Sequence, residues 1–237
     1  MNDGDFVTDG GDRVTAVDRE TRAEPVTPAP PEVVAERFGA ATMQVLMRYA
    51  NWLAGAGTLR GLIGPREVPR LWDRHILNSV AVSELLPRDA RVVDIGTGAG
   101  LPGLAIACVR TDLRVDLIES LQRRTDFLDE VVADLNLGDR VRVIRGRAED
   151  AAVVKAVGST PFVTARAVAP LDKLVRWSFP LLVHGGSLLA LKGATAEDEL
   201  VQHAAVLRKY PAEVVGVQEC GQGLVDPPTR VVHLVRR

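Results

Sequence analysis

The 237-residue chain predicts an α/β fold: a seven-stranded, mostly parallel sheet with helices on both faces, preceded by a small N-terminal helical extension. Three observations predict it. From Arg91 onward, short β-branched stretches alternate with apolar stripes at helical spacing, as in a parallel sheet wrapped by helices. The first stretch, Val92-Val93-Asp94-Ile95, breaks directly into Gly96-Thr97-Gly98-Ala99-Gly100, so a strand ends there in a tight turn. Between Tyr210 and Arg237 two strand-like stretches follow each other without a long helix, which makes a hairpin with an antiparallel strand at the sheet end.

The elements follow in order. Residues 1–31 are acidic and close with Pro25, Pro28, Pro30 and Pro31, the composition of a disordered tail. Residues 32–88 read as a helical subdomain. Val33, Val34, Phe38, Ala41, Met43, Val45, Leu46 and Tyr49 form one apolar stripe, and Gly55, Gly57, Gly61 and Gly64 break it. A second stripe runs from Val68 through Leu71, Trp72, Ile76, Leu77, Val80 and Val82 to Leu86. Residues 89–237 form the main domain. Strands are expected near 91–95, 114–119, 141–145, 161–165, 186–192, 213–219 and 229–235. Helices are expected near 101–110, 120–136, 149–157, 171–182 and 195–208, with Pro102 in a first helical turn.

Composition narrows the function classes. A hydrophobic fraction of 46% supports a real core, and no apolar run approaches the length of a membrane span. The acidic start, Met1-Asn2-Asp3-Gly4-Asp5, is unlike a secretory signal, and two cysteines, Cys108 and Cys220, suit a reducing setting, so a cytoplasmic protein is expected. His75, His184, His203 and His233 are scattered without ligand spacing, so no metal is expected. Net charge is −2, but residues 1–30 hold seven acids against three arginines, which leaves +2 on the remainder. That remainder draws its positive charge mainly from arginine, a residue suited to phosphate.

The glycine turn marks a cofactor site. Its glycines let backbone approach a ligand, and a helix N-terminus adds partial positive charge. Gly98-Ala99-Gly100-Leu101-Pro102-Gly103 matches the dinucleotide fingerprint G-x-G-x-x-G. The longer run Asp94-x-Gly96-x-Gly98-x-Gly100 resembles the first motif of Rossmann-like, class I S-adenosylmethionine (SAM) methyltransferases. Asp94 favours the second reading, because a carboxylate at the strand end suits a cationic methionine end and opposes a pyrophosphate. Glu119 ends the next strand at the spacing expected of an acid that binds ribose hydroxyls. Both acids could instead cap helices.

Four more segments carry a narrower resemblance. They are Arg74-His75-Ile76-Leu77-Asn78-Ser79, Glu119-Ser120-Leu121-Gln122-Arg123-Arg124 with Phe127-Leu128, Thr164-Ala165-Arg166-Ala167 and Leu191-Lys192-Gly193. With Asp94 to Gly103 they resemble, in order and spacing, the bacterial 16S rRNA guanine-N7 methyltransferases of the glucose-inhibited division protein B family. The resemblance runs from about residue 35 to the C-terminus. It implies SAM as cofactor and 16S rRNA, alone or in the small ribosomal subunit, as partner, with methyl transfer to a guanine of the 530 loop (position 527 in the usual rRNA numbering); a monomer is expected. The site residues it implies for SAM are Asp94, Gly96, Gly98, Gly100, Leu101, Glu119, Ser120, Ala148, Glu149 and Arg166. Arg166 stands at the mouth shared with substrate, while Arg74, Arg123, Arg124 and Lys192 are expected on the RNA rim. Two departures stand out: Gly61-Leu62-Ile63 replaces the family's frequent Asn-Leu-Thr, and Asn78 replaces an Asp.

The residues also exclude chemistries. Ala165-Arg166-Ala167-Val168-Ala169-Pro170 lacks the Asn/Asp-Pro-Pro-Tyr/Phe group used on exocyclic amines. Neither cysteine falls where pyrimidine C5 methylation needs a nucleophile. Guanine N7 needs no general base, since its lone pair is free. Left open are methyl transfer to another RNA or a small molecule, a non-catalytic ribosome-assembly role, and a salt-bridging Arg166 paired with Asp94 or Glu149. His75 is expected to be a packing histidine, with RNA contact as the alternative.

Overall fold

The structure, a computed structural model, describes residues 26–237. The tail expected over 1–31 lies outside the described residues up to position 25, and 26–31 form no regular element.

Helix α1 (Glu32–Trp52) buries Val34, Leu46, Tyr49 and Ala50, the inward side of its apolar stripe, and bends at Gly39. The glycine break starts later than the sequence suggests. Gly55 and Gly57 lie in a π-turn, Leu53–Gly57, that prolongs the helix. Gly57 sits so close to the Trp52 carbonyl oxygen that a Cβ would lie 3.2 Å from it. The second stripe forms a series of short turns rather than one helix: a 3-10 turn Pro65–Arg70, a π-turn Leu71–Leu77, α2 (Asn78–Ala81) and a 3-10 turn Val82–Leu85. Pro69, lacking an N–H, falls at the first junction.

The main domain runs β1 (Arg91–Ile95), α3 (Gly103–Val109), β2 (Arg114–Glu119), α4 (Gln122–Asp134), β3 (Val141–Arg145), α5 (Ala151–Val157), β4 (Thr160–Arg166), α6 (Leu171–Ser178), β5 (Leu182–Leu191), α7 (Ala196–Leu207), β6 (Ala212–Cys220) and β7 (Thr229–Arg236). Pro102 precedes α3, which starts at Gly103. The seven strands form one sheet in the order β3-β2-β1-β4-β5-β7-β6. Among the described strands β7 alone runs opposite to the rest, antiparallel to both β5 and β6. It lies one place in from the edge, because the hairpin folds back and inserts its second strand beside β5. Strand β5 begins before residue 186: Leu182 pairs with Thr160, and the ladder then jumps to Phe162 opposite Ser187.

Alternation along each strand divides the core in two. Val92, Val115 and Leu117 face the extension, α3 and α4. Val93, Ile95 and Ile118 face α5, α6 and α7. The extension is therefore a wall of the main core. Tyr49 is its deepest anchor, fully buried, donating its hydroxyl to the Ala99 carbonyl in the glycine turn at 2.9 Å.

Candidate cofactor and substrate site

Parallel strands deliver their last residues to one sheet edge, and β1, β2 and β4 do so side by side. Asp94 is the last polar residue of β1. It is 0% exposed, with Oδ2 accepting from the Gly103 N–H at 2.9 Å and Oδ1 from Thr164 Oγ1 at 2.9 Å. Burial pushes its carboxyl up to about 6 against these hydrogen bonds. The sequence expectation put Asp94 against the cofactor; the structure encloses it beneath the turn, where it holds the first residue of α3.

Glu119 acts as a second clamp. Its Oε2 accepts from Gly98 N–H at 3.1 Å and faces Arg124 Nη1 at 3.3 Å, while Oε1 accepts from Leu121 N–H at 3.0 Å. The Gly100 and Leu101 N–H groups bond to the Thr97 carbonyl. Three amides of the dinucleotide fingerprint, at Gly98, Gly100 and Gly103, thus have acceptors within the chain, two of them carboxylates. A pyrophosphate would have to displace both acids, so the geometry opposes the dinucleotide reading.

Above the turn lies a cleft of about 210 Å³, lined by Gly96, Glu119, Ser120, Ala148, Glu149 and Trp177 among others. Gly96 has φ +64, and a Cβ there would come within 2.7 Å of Val168. Only glycine closes that wall. The Trp177 Nε1 is buried without an acceptor. An acid pair for a ribose diol, small residues and a flat indole for a purine: these groups fit the adenosine of SAM. Gly98, Gly100 and Leu101 shape the turn instead of lining this cleft, and Leu101 packs into the core. Ala148 is buried and Glu149 exposed, in the turn before α5.

A second cleft of about 800 Å³ opens beside the first. It gathers Arg70, Arg74, His75, Arg166, Lys192 and Arg230 from widely separated segments. The β4–α6 loop separates the two spaces: Val168 borders the smaller, Arg166 and Ala167 the larger. Arg166 bonds neither Asp94 nor Glu149. It donates to the Arg74 carbonyl at 3.0 Å and to His75 Nδ1 at 2.8 Å.

The expected RNA rim divides. The Arg74 side chain is 53% exposed and Arg123 is exposed on α4. Lys192 is only 10% exposed: its ammonium donates to the Ala169 carbonyl at 2.7 Å and to Glu199 Oε1 at 2.8 Å. It ties down the β4–α6 loop, which corrects its expected place on the rim. Arg124 is half-buried against Glu119. Sequence reasoning missed Glu67, Tyr49, Arg70, Trp177 and Arg230. Their segments meet only in three dimensions, and Tyr49 read as one more member of an apolar stripe. Among the described residues no cluster of His, Cys, Asp and Glu could hold a metal, and no helix is long and apolar enough to cross a membrane.

Comparisons agree with this geometry. The family model described as rRNA small subunit methyltransferase G matches residues 42–228. A ribosomal RNA small subunit methyltransferase G of Salinispora arenicola is 52% identical over 216 residues, covering 89% of this chain and 88% of its own. One of Thermobifida fusca is 53% identical over 205 residues, covering 86% of this chain and 84% of its own. Among solved structures, the fold is shared with the mitomycin 7-O-methyltransferase MmcR (TM-score 0.53, 17% identity, 86% of this chain and 70% of that one). It is shared also with Aeropyrum pernix fibrillarin carrying natively bound SAM (TM-score 0.50, 18% identity, 67% and 76%). The chain belongs to the rRNA small subunit methyltransferase G family and is a SAM-dependent methyltransferase.

Proposed function

We propose that the protein methylates N7 of a guanine in the 530 loop of 16S rRNA, with the small ribosomal subunit as its partner, as a monomer in the cytoplasm. One observation carries this reading: the cofactor cleft and an arginine-rich cleft large enough for an extruded base border the same β4–α6 loop, with Val168 on one and Arg166 and Ala167 on the other.

SAM supplies a methyl group on a sulfonium. The protein's task is to hold guanine N7 in line with it at near-attack distance, which by itself gives most of a large acceleration. Arg166 is the orienting group: a guanidinium donates well to guanine O6 and never withdraws a proton from the base. Gly96, Glu119, Ser120, Ala148, Glu149 and Trp177 hold the adenosine. Asp94, Gly98, Gly100 and Leu101 keep the turn in shape beneath it. Arg74 and Arg123 meet phosphate. Covalent catalysis by cysteine is disfavoured by Cys108, buried in α3 with its thiol pushed up to about 12, and by Cys220, pushed up to about 11.

The test is to incubate the protein with labelled SAM and small subunits or 16S rRNA lacking the modification, then map 7-methylguanine by its chemical lability. One labelled guanine in the 530 loop is expected. Label elsewhere, or none despite SAM binding, overturns the reading.

A further inference from the structure

The sheet carries Arg166, but the N-terminal extension aims it. Besides the Arg74 carbonyl, its guanidinium has His75 as a partner: Nη2 lies 2.8 Å from Nδ1. On the other side of the ring, His75 Nε2 lies 2.7 Å from Glu67 Oε2. A guanidinium only donates, so Nδ1 must accept, and the ring proton therefore sits on Nε2 and is donated to Glu67. One neutral tautomer satisfies both contacts. The result is a chain of three side chains, Glu67–His75–Arg166, from the 3-10 turn Pro65–Arg70 through the π-turn Leu71–Leu77 to the end of β4. Its last member borders the substrate cleft.

We propose that His75, oriented by Glu67, is a positioning residue that aims Arg166 at the base, and that a second proton on His75 releases Arg166 and stops methyl transfer. This rests on Arg166 being the orienting group of the proposed reaction.

The charges around the ring set the direction. Arg166 faces it from β4, Glu67 from the preceding turn and Arg74 from its own element, with Arg70 close to Glu67. Burial, helped by the two arginines and opposed by Glu67, holds the imidazole below its ordinary value. At neutral pH the ring is therefore uncharged and Nδ1 is free to accept. A proton on Nδ1 removes that acceptor and places a cation against a guanidinium. Activity is held above the histidine range and lost below it.

Asparagine and glutamine substitutions separate positioning from packing. His75→Asn sets an amide oxygen near the place of Nδ1 and cannot titrate. His75→Gln reaches toward Glu67 and leaves Arg166 with backbone carbonyls alone. Using the full chain, SAM and unmethylated small subunits, kcat/KM for wild type should fall about tenfold per pH unit on the acid side. His75→Asn should lose that acid limb. Glu67→Gln should move it to lower pH, since the carboxylate favours the imidazolium. His75→Gln should lower kcat at every pH while the Kd for SAM stays within about twofold. An acid limb unchanged in His75→Asn overturns the proposal.

A nitrogen-15 NMR titration of His75 in the full chain needs no methyl acceptor. Arg166→Ala should raise its titration point and Glu67→Gln should lower it. If neither moves, the positioning chain is refuted whatever the acceptor is. If both move but no 7-methylguanine forms, the proposed reaction fails and the positioning chain stands.

Discussion

The two clefts share a loop and differ in how they are assembled. The cofactor cleft is made at strand ends. Ile95-Gly96, Ile118-Glu119-Ser120 and Gly146 to Glu149 arrive there because β1, β2 and β3 are parallel neighbours, and Asp94 and Glu119 clamp the turn within the same layer. The substrate cleft shares that frame only in part, through Arg166 and Leu191 at the ends of the parallel neighbours β4 and β5. It exists because the extension packs on the sheet and β7 inserts beside β5, bringing 70–78, 166–167, 191–199 and 226–230 together. Its charged side chains are accordingly divided. Lys192, Arg230 and Arg166 are bonded to neighbouring segments and build the cleft, whereas Arg70 faces solvent and Arg74 is exposed beside a long 3.4 Å contact with Glu67. A cation beside a cleft is thus a poor indicator of ligand contact where the cleft itself needs cations to form.

Lys192→Ala gives the sharpest break between building and binding. Removing the ammonium leaves Glu199 largely buried with only the Leu171 N–H as a partner, at a stability loss of about 3–5 kcal/mol. Urea unfolding should show that loss, and the salt dependence of RNA affinity should not change. A stable variant whose salt slope falls by about one would place Lys192 on phosphate after all.

Asp94 tests the cofactor side. Asp94→Ala should weaken SAM binding by about 1.5–3 kcal/mol, because the α3 N-terminus and Thr164 both lose an acceptor. Asp94→Asn keeps an acceptor for Gly103 and removes the charge, so a smaller loss separates shape from electrostatics. The pH dependence has a fixed sign. A carboxyl raised to about 6 in the folded chain binds its proton there before it does when unfolded. Its stabilising contribution is therefore present at low pH and lost as pH rises through about 6. Between pH 7 and pH 5, wild type should gain stability relative to Asp94→Asn in thermal melts. A constant difference would show that the carboxyl ionises as an ordinary acid.

The contrast also explains what the sequence could reveal. The sheet, its strand boundaries and the cofactor turn are encoded within windows of ten or twenty residues, so Val92 to Gly103 and Glu119 could be read directly. Asp94 was visible as an acid at a strand end, but not its enclosure, since Thr164 lies on another strand. The short turns of residues 65–85 looked like helix because π-turns and 3-10 turns keep nearly the same apolar spacing. Lys192 and Arg166 followed strands in the expected places. Which way their charges point depends on Glu199 and His75, and no local pattern joins those pairs.

Arg123 and Arg124 bring the comparison down to adjacent residues. In sequence they form one basic step at the start of α4, with a common expectation of phosphate contact. Helix geometry turns neighbours about 100° apart, so they need not share a face. Arg123 is exposed, while Arg124 leans back on Glu119 at 3.3 Å with its Nε buried and without an acceptor. The ion pair is part-exposed and its own worth is small, on the order of 1 kcal/mol or less. Arg123→Ala should lower the salt slope of RNA binding by about 0.7–0.9, the release from a single phosphate. Arg124→Ala should leave that slope alone and weaken SAM severalfold, because Glu119 loses its only cationic neighbour among the described contacts while still holding Gly98. Equal slope changes in the two variants would return Arg124 to the RNA rim and leave Glu119 to clamp the turn through backbone amides alone.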